Sequence, residues 1–285
     1  MTEKTTQRPR AFILGHPVSH SRSPMLHGYW LKRYGIEGSY ERADVAPADL
    51  PAFFAGFRDN WVGGNVTVPH KLAVMPYLDR VDDAAGRIGA VNMLWLEDGR
   101  LVGGNSDWVG FIGNLDELAP GWDGGSRRAL ILGAGGATRA AVYGLLKRGM
   151  EVALCNRTVA KARELADHFG KGVSAHGLDE AAGLMKDTRL LVNTTSLGMV
   201  GQPPLEIDLS PLPADAIVHD VVYVPLETDL LRAARARGLK TVDGLGMLLH
   251  QAGEGFRRWF GRTPEVTDEL RRLLADDIRA KTPGA

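Results

Sequence analysis

Short apolar segments of strand length alternate with segments of helical periodicity along the whole chain, a pattern typical of α/β proteins with parallel sheets. In the first half the pattern predicts strands at residues 11–14, 39–45, 64–68, 90–96 and 101–103. It predicts helices at residues 24–34, 48–57 and 69–88. Asp98 and Gly99 predict a tight turn between the last two strands.

The alternation resumes after a polar, glycine-rich segment at residues 120–126, which indicates a second unit. Strands are predicted at residues 129–132, 152–155, 190–193, 217–221 and 240–242, with helical segments between them and a helix at residues 245–260. Such spacing predicts a doubly wound, Rossmann-type domain. A length of 285 residues also favours two domains.

Charge and composition narrow the class of partner. Lysine and arginine together number 34, as do aspartate and glutamate, so no overall field favours nucleic acid or an anionic membrane. We expect a small-molecule partner instead. Residues 1–10 lack the apolar core of a secretory signal, and no apolar run approaches the roughly 18 residues of a membrane helix. Because Cys155 is the single cysteine, an internal disulfide is excluded, and we expect a cytoplasmic protein.

A glycine-rich loop follows the predicted strand at 129–132 and leads into a helix. Its residues are Gly133, Ala134, Gly135, Gly136, Ala137 and Thr138. Glycines let the backbone turn tightly and approach a pyrophosphate, whose charge is met by the N–H groups and positive dipole end of the helix. The sixth motif position is usually Gly or Ala, so Thr138 departs from the dinucleotide fingerprint.

About 20 residues further on, an NAD site would place a carboxylate against the ribose 2′-hydroxyl. Here the second strand ends instead in Asn156, Arg157 and Thr158, with Lys161 following. Arg157 and Lys161 can face one adenosine 2′-phosphate, and the Thr158 hydroxyl can add a contact. The alternative is that both cations are ordinary surface residues. Their position at the end of the second strand favours NADP(H) over NAD(H).

Polar strings that make little sense as core occur in the first half: HSRSP at 20–24, NVTVPHK at 65–71, GAVN at 89–92 and GGNSD at 103–107. Together with NTTSLGM at 193–199 and DGLGMLLHQ at 243–251, they closely resemble the shikimate dehydrogenase family, including its quinate/shikimate relatives. The resemblance extends from about residue 13 to about residue 259. It implies NADPH-dependent, reversible reduction of 3-dehydroshikimate to shikimate in aromatic amino-acid biosynthesis.

The resemblance also implies roles for individual residues. Lys71 and Asp107 are implied to form the catalytic pair, hydrogen-bonded to each other and to the substrate hydroxyl at the reacting carbon. The other implied roles are substrate carboxylate binding by Ser21, Ser23 and Tyr223 with Thr67 nearby, ring-hydroxyl binding by Asn65, Asn92 and Gln251, and packing near the nicotinamide by Gly244 and Met247. It further implies a substrate domain at residues 1–106, a cofactor domain at 107–244, helices of 245–285 that return to the first domain, and an active site in the cleft between the domains.

The chemistry of the pair is also reasonable from the residues themselves. Reduction of a ketone needs a proton donor at the oxygen, where negative charge accumulates, and Lys71 can supply both charge and proton. A helix after Pro69 would place its positive end near Lys71 and disfavour the ammonium. Asp107 is predicted to begin a helix that ends at about Leu118, which favours its carboxylate form and lets it orient Lys71.

Plainer interpretations remain open for several of these residues. Lys71 alone fits a solvated surface lysine and Asp107 a helix N-cap, while Ser21 and Ser23 fit N-caps of the helix entered at Pro24. In each case capping and binding are compatible.

Three histidines, His16, His20 and His27, have spacings that on a helix would resemble metal ligands. Pro17 and Pro24 interrupt any helix through them, so no metal is predicted.

The sequence departs from the family pattern at a few positions. Ser106 replaces the usual Thr, Trp108 replaces the Gly after the catalytic Asp, and Met93 replaces the usual Thr after Asn92. The Trp108 indole either narrows the substrate pocket or packs between the domains. Two rival functions are a quinate/shikimate dehydrogenase that uses NAD(H) and a ligand-sensing module that binds shikimate-like acids without turnover. A monomer and a homodimer both fit the sequence.

Overall fold

The computed structural model describes residues 8–282, so most of the segment 1–10, predicted not to be a secretory signal, lies outside the described residues. The fold is mixed α/β, and the chain divides into two compact units. The first comprises the described residues up to Ser106 together with Ala252–Leu270. The second comprises Asp107–Gln251 together with the described residues from Arg271 onward. Within the described range, no helix is long and apolar enough to cross a lipid bilayer.

The first unit contains one six-stranded sheet and short helices. Its strands are β1 (Arg10–Gly15), β2 (Ser39–Asp44), β3 (Gly63–Val66), β4 (Arg80–Val81), β5 (Met93–Glu97) and β6 (Arg100–Gly104). Its helices before residue 106 are α1 (Ser23–Arg33), α2 (Leu50–Ala55), α3 (Phe57–Asn60) and α4 (Asp83–Ile88). The range 48–57, predicted as one helix, is not continuous. It contains the end of a 3-10 turn at Pro47–Asp49, then α2 and, after Gly56, the first residue of α3.

The first sheet has the strand order β2-β1-β3-β5-β6-β4 and is mixed rather than parallel. β1 pairs in parallel with β2 and β3, whereas β5 runs antiparallel to both β3 and β6. The antiparallel part follows from the predicted turn, because Asp98 and Gly99 have φ of 51° and 76° and join β5 to β6 directly. The start of β5 therefore lies at the same edge of the sheet as the ends of β1, β3 and β6.

The helix predicted at residues 69–88 is wrong over most of its length. Turns occupy residues 68–74, a 3-10 turn occupies Met75–Tyr77, and only α4 is helical. Hydrogen bonds to other parts of the first unit replace several of the helical ones in this segment. The carbonyl of Lys71 accepts from the N–H of Val91, and the carbonyl of Val68 accepts from the N–H of His16. Pro76 would also have no N–H for a continuous helix.

The second unit is a parallel α/β sheet with helices. Its strands are β7 (Arg128–Leu132), β8 (Glu151–Cys155), β9 (Val173–His176), β10 (Leu190–Asn193), β11 (Ile217–Asp220) and β12 (Lys240–Val242). Its helices are α5 (Asp107–Leu118), α6 (Gly136–Lys147), α7 (Val159–Phe169), α8 (Ala181–Met185) and α9 (Asp229–Ala236), followed by α10 (Leu245–Phe260) and α11 (Asp268–Lys281), which both contain a unit boundary.

All pairings in this sheet are parallel, in the order β12-β11-β10-β7-β8-β9. If β7 is numbered as the first strand and the sheet is read from β9, the order is 3-2-1-4-5-6, that of a dinucleotide-binding fold. This order confirms the predicted Rossmann-type unit. The apolar strands were predicted to within one residue because parallel strands are buried on both faces. β9 was missed because it is a short, partly exposed edge strand.

His27 of the first unit and His219 of the second are fully buried against aromatic rings. His27 stacks on Tyr40 with ring centroids 4.0 Å apart, and His219 stacks on Phe111 at 5.0 Å. Burial lowers the pKa of each imidazole to about 3, and for His27 the nearby Asn65 side chain opposes this only partly. Each histidine therefore stays neutral in the folded chain at pH values where the unfolded chain binds a proton.

We predict that the free energy of unfolding falls as the pH is lowered from 7 to 5. A lowered folded-state pKa gives stability that is present above the usual pKa of 6.5 and is lost as the pH falls toward 3, about 2 kcal/mol per histidine at pH 5. Asp220 acts in the opposite sense, because burial raises the pKa of its carboxyl to about 6, and it offsets only about 1 kcal/mol of this loss. The histidines therefore dominate.

Urea unfolding followed by circular dichroism at both pH values measures this fall. His27→Phe should remove about half of the histidine contribution, because the phenyl ring suits the aromatic surroundings of His27. His20→Ala, at an exposed position, is the matched control and should leave the fall unchanged. An unchanged pH dependence in His27→Phe would contradict the assignment.

Candidate active site

The predicted substrate residues of the first unit lie around one edge of its sheet. Ser21 and Ser23 follow β1, Thr67 and Lys71 follow β3, and Asn92 directly precedes the antiparallel β5. Asn65 lies within β3, paired with Ile13 of β1 and Met93 of β5. The fold therefore brings these side chains to a common edge from sequence positions up to 71 residues apart.

The start of α1 differs from simple capping by serine. Arg22 is the N-cap residue of α1, and no side chain caps the helix there. The Ser21 Oγ accepts a hydrogen bond of 3.3 Å from the N–H of Ser23, and Ser23 itself is buried. Pro24 occupies the first turn, where its missing N–H costs nothing. The interpretation of Ser21 and Ser23 as N-caps is therefore wrong. Their role in carboxylate binding stays a prediction.

Asn65 and Asn92 are buried amides held by named partners. The Tyr40 hydroxyl donates to Asn65 Oδ1 at 2.7 Å, and Asn65 Nδ2 donates to the carbonyl of Asn92 at 3.3 Å. The N–H of Ser106 donates to Asn92 Oδ1 at 2.7 Å, and Asn92 Nδ2 donates to Ser106 Oγ at 3.2 Å. A serine hydroxyl at 106 is therefore sufficient to orient Asn92, although the family usually has Thr there.

Lys71 lies in the turns after β3, on a backbone that its neighbours hold. The preceding His70 is buried, and its Nε2 contacts the carbonyl of Val45 at 2.7 Å. The Lys71 carbonyl accepts from Val91, and the N–H of His70 donates to the carbonyl of Thr67. Because no helix begins at Lys71, the argument that a helix dipole acts on its ammonium is wrong.

Asp107 is the first residue of α5, as predicted, and α5 ends at Leu118. Its side chain is 8% exposed. The neighbouring Trp108 packs within the second unit, edge-on to Tyr143 of α6 at 5.4 Å. Lys71 belongs to the first unit and Asp107 to the second, so their pairing stays a prediction.

The glycine-rich loop joins β7 to α6. Gly133 has φ of 118°, and a Cβ there would lie 2.7 Å from Thr194 Oγ1, so both backbone and space require glycine. Nothing lies within 4 Å of the Cβ positions of Gly135 and Gly136, at the N-terminus of α6. Open backbone at a helix N-terminus fits a pyrophosphate, as predicted for Gly133 to Ala137.

Thr138 is explained by the structure. It is fully buried, its Oγ1 accepts from the N–H of Gly135 at 2.9 Å, and it lies 2.7 Å from Thr194 Oγ1. Thr194 Oγ1 in turn donates to the carbonyl of Leu132. The hydroxyl at the sixth motif position therefore closes the loop.

The predicted phosphate-binding cations follow β8. Arg157 precedes the N-cap Thr158, and Lys161 lies in the first turn of α7. Arg157, Thr158 and Lys161 are exposed, while Asn156 Nδ2 donates to the carbonyl of Thr158 at 2.9 Å and shapes the turn. The Thr158 side chain does not cap α7. Two exposed cations beside a hydroxyl fit a 2′-phosphate.

A buried carboxyl that the sequence reasoning missed joins the loops after β10 and β11. Asp220 Oδ1 accepts from Asn193 Nδ2 at 2.9 Å and from the N–H of Val222 at 3.0 Å, and Oδ2 accepts from Thr228 Oγ1 at 2.6 Å. Burial raises the pKa of this carboxyl to about 6, against these hydrogen bonds. It fixes the backbone next to Tyr223. Its signal in the sequence is an acid at the end of the short strand Ile217–Asp220.

The start of α10 holds the remaining predicted residues. A Cβ at Gly244 would lie 2.3 Å from the carbonyl of Val221, so Gly244 lets α10 approach the loop after β11. Asp243, a residue to which no role was assigned, accepts from the N–H of Leu245 at 3.0 Å and pairs with Arg271 at 2.6 Å. Further along α10, Met247 packs on the core of the second unit.

Gln251 lies in α10, is 7% exposed, and donates from Nε2 to the carbonyl of Leu248 at 3.1 Å. A Cβ at Gly110 of α5 would lie 2.7 Å from the Gln251 Cβ. The helices therefore approach closely at this position, and α5 fixes the place of Gln251 on α10.

Sequence models of three protein domains match the chain. The shikimate dehydrogenase substrate binding domain matches residues 13–94, shikimate / quinate 5-dehydrogenase matches residues 121–199, and the shikimate 5′-dehydrogenase C-terminal domain matches residues 244–273. Together these matches cover segments of both units.

Relatives with curated names are similar over nearly the whole chain. The shikimate dehydrogenase (NADP(+)) of Azorhizobium caulinodans is 58% identical over 274 residues, which cover 95% of this chain and 98% of the relative. The protein of the same name from Chelativorans is 56% identical and covers 95% and 97%.

Among solved structures, shikimate 5-dehydrogenase from Thermus thermophilus in complex with NADP(H) and shikimate is 38% identical, with a TM-score of 0.84 over 95% of this chain and 99% of that chain. Quinate dehydrogenase from Corynebacterium glutamicum in complex with NAD is 30% identical, with a TM-score of 0.85 over 94% and 99%. By these sequence and structural matches, the chain belongs to the shikimate dehydrogenase family.

Proposed function

We propose that this protein catalyses the reversible, NADPH-dependent reduction of 3-dehydroshikimate to shikimate, a reaction of aromatic amino-acid biosynthesis. The observation that carries the proposal is identity of 54–58% over nearly the whole chain with relatives named shikimate dehydrogenase (NADP(+)). The retained Lys71 and Asp107 support turnover over the alternative of a sensing module. In this proposal the first unit binds substrate, in agreement with the name of the domain matched at residues 13–94, and the second binds NADP.

In the proposed mechanism the cofactor supplies the hydride and the protein supplies the proton. NADPH, when bound, supplies the hydride for the C3 carbonyl. Lys71 donates a proton to the carbonyl oxygen as negative charge builds there, and the Asp107 carboxylate orients the ammonium. In the reverse direction the same two residues remove the proton from the substrate hydroxyl. Ser21, Ser23 and Tyr223 hold the carboxylate by neutral donors, with Thr67 nearby, and Asn65, Asn92 and Gln251 bind the ring hydroxyls.

We further propose a cytoplasmic enzyme that acts as a monomer or homodimer without nucleic-acid or membrane partners. Balanced charge and a single buried cysteine support this. Size-exclusion chromatography with light scattering determines the assembly.

Shikimate should reduce NADP⁺ in the presence of the purified protein, and kcat/KM should be higher with NADP⁺ than with NAD⁺. The reason is the pair of cations at the end of β8, where an NAD site would have a carboxylate. Initial rates with shikimate and quinate, each with both cofactors, measure reaction, substrate and cofactor together. A preference for NAD⁺ would overturn the cofactor assignment, and turnover of quinate alone would overturn the substrate.

Lys71→Ala should lower kcat by about 10²-fold or more with a smaller change in the KM for shikimate, since it removes an acid/base group rather than a general binding contact. Steady-state kinetics at saturating NADP⁺ measure kcat and the KM for shikimate separately. Lys32→Ala, at an exposed lysine of α1, is the control and should retain full activity. A near-normal kcat in Lys71→Ala would remove this residue from the mechanism.

Arg157→Ala and Lys161→Ala should each raise the KM for NADP⁺ by about 10- to 100-fold, the usual scale for a lost charge-assisted hydrogen bond. The KM for NAD⁺, which has no 2′-phosphate, should stay nearly constant. Arg163→Ala, on the same helix and exposed, is the matched control. Equal losses with both cofactors would refute recognition of the 2′-phosphate by these cations.

A further inference from the structure

The orientation of the Asn65 amide is determined by two neighbours. The carbonyl of Asn92 can only accept a hydrogen bond, so the atom 3.3 Å from it must be the amide nitrogen of Asn65. The amide oxygen then faces the Tyr40 hydroxyl at 2.7 Å and needs a donor there. Tyr40 supplies that donor, and the two contacts together distinguish the ends of an amide that is otherwise nearly symmetrical in shape.

Tyr40 is itself firmly held. It lies on β2, its ring stacks on His27 at an interplanar angle of 15°, and Trp259 lies 5.9 Å away on another side. Burial raises the pKa of Tyr40 well above 10, against hydrogen bonds with Ser23 and Asn65. The phenol therefore keeps its proton and remains a donor at working pH.

The hydrogen bond between Tyr40 and Asn65 is also shielded from solvent. Tyr40 is 8% exposed and Asn65 is 3% exposed. In such surroundings a hydrogen bond is stronger than in water, and loss of the donor leaves a buried carbonyl oxygen with one partner fewer. The amide of Asn65 then gains freedom to rotate, which changes the polar atom it presents to a ligand.

We propose that Tyr40 is a positioning residue that acts through Asn65 to set the affinity for the ring hydroxyls of the substrate. The proposal rests on the proposed function, in which Asn65 binds these hydroxyls. Tyr40 touches neither hydride nor transferred proton in that mechanism. Its loss therefore weakens binding of the substrate and leaves the chemical step of the bound complex nearly unchanged.

The test compares Tyr40→Phe, Asn65→Ala and the double variant with the wild-type protein. Isothermal titration with shikimate alone gives Kd without cofactor, and steady-state kinetics give kcat and both KM values. In Tyr40→Phe we expect Kd and KM for shikimate to rise about 10-fold, kcat to stay within about 3-fold, and the KM for NADP⁺ to stay constant. In the Asn65→Ala background the same substitution should have almost no further effect on Kd, since the two residues act as one unit.

Tyr29→Phe is the matched control. Tyr29 also belongs to the first unit, and its hydroxyl bonds to Glu269 at 2.7 Å and contacts Thr267, away from the residues assigned to the substrate. This variant loses a phenolic hydroxyl of the same kind and should keep the wild-type Kd for shikimate. Thermal unfolding of both variants confirms that each is folded.

An unchanged shikimate Kd in Tyr40→Phe would overturn the inference, as would an effect that persists fully in the Asn65→Ala background, which would indicate an action of Tyr40 on another group such as Ser23. These outcomes leave the proposed function intact, because the wild-type protein still binds and oxidises shikimate. Failure of the wild-type protein to do either would overturn the proposed function and, with it, this inference.

Discussion

Every strand of a parallel sheet sends its following loop to the same edge, and this constraint determines where the chemistry of the protein can be. In the second unit the loop after β7 carries the glycine-rich turn, and the loop after β8 carries the two cations. The loops after β10, β11 and β12 carry Thr194, Tyr223 and Gly244, respectively. In the first unit the sheet is mixed, so one of the polar residues at this edge precedes its strand instead of following it. β5 is antiparallel, so its start joins the ends of β1 and β3 at the edge that holds Asn65 and Asn92.

Buried polar groups then fix the side chains and loops at these edges. Asn92 and Ser106 exchange hydrogen bonds, Asn65 is held by Tyr40, and Asp220 ties Asn193 to Thr228. Each group is satisfied by partners from a different part of the chain, so the cost of burying it is offset only in the folded arrangement. Rigid, preoriented amides and hydroxyls are what recognition of a small polyhydroxylated acid requires, since each directed hydrogen bond distinguishes donor from acceptor.

Three of the departures from the family pattern, Thr138, Trp108 and Ser106, have local explanations in packing and hydrogen bonding. Thr138 uses its hydroxyl inside the glycine-rich loop, and Trp108 packs against Tyr143 of the second unit. Ser106 makes the contacts with Asn92 through its hydroxyl and its backbone N–H, so the methyl group of a threonine is not needed for them. None of the three residues introduces a new charge near the predicted site.

The sequence alone determined the Rossmann-type unit, the glycine-rich turn and the cations after β8, because continuous apolar strands and glycines at fixed spacing are local signals. The strands Leu190–Asn193 and Lys240–Val242 and the helix Leu245–Phe260 were predicted at the bounds they have. Tertiary structure decided the turns around Lys71, where pairing with Val91 replaces a helix, and the mixed order of the first sheet. It also decided the hydrogen-bond partners of Tyr40 and Asp220, because a hydrogen bond between residues 25 or 27 positions apart leaves no periodic trace in the chain.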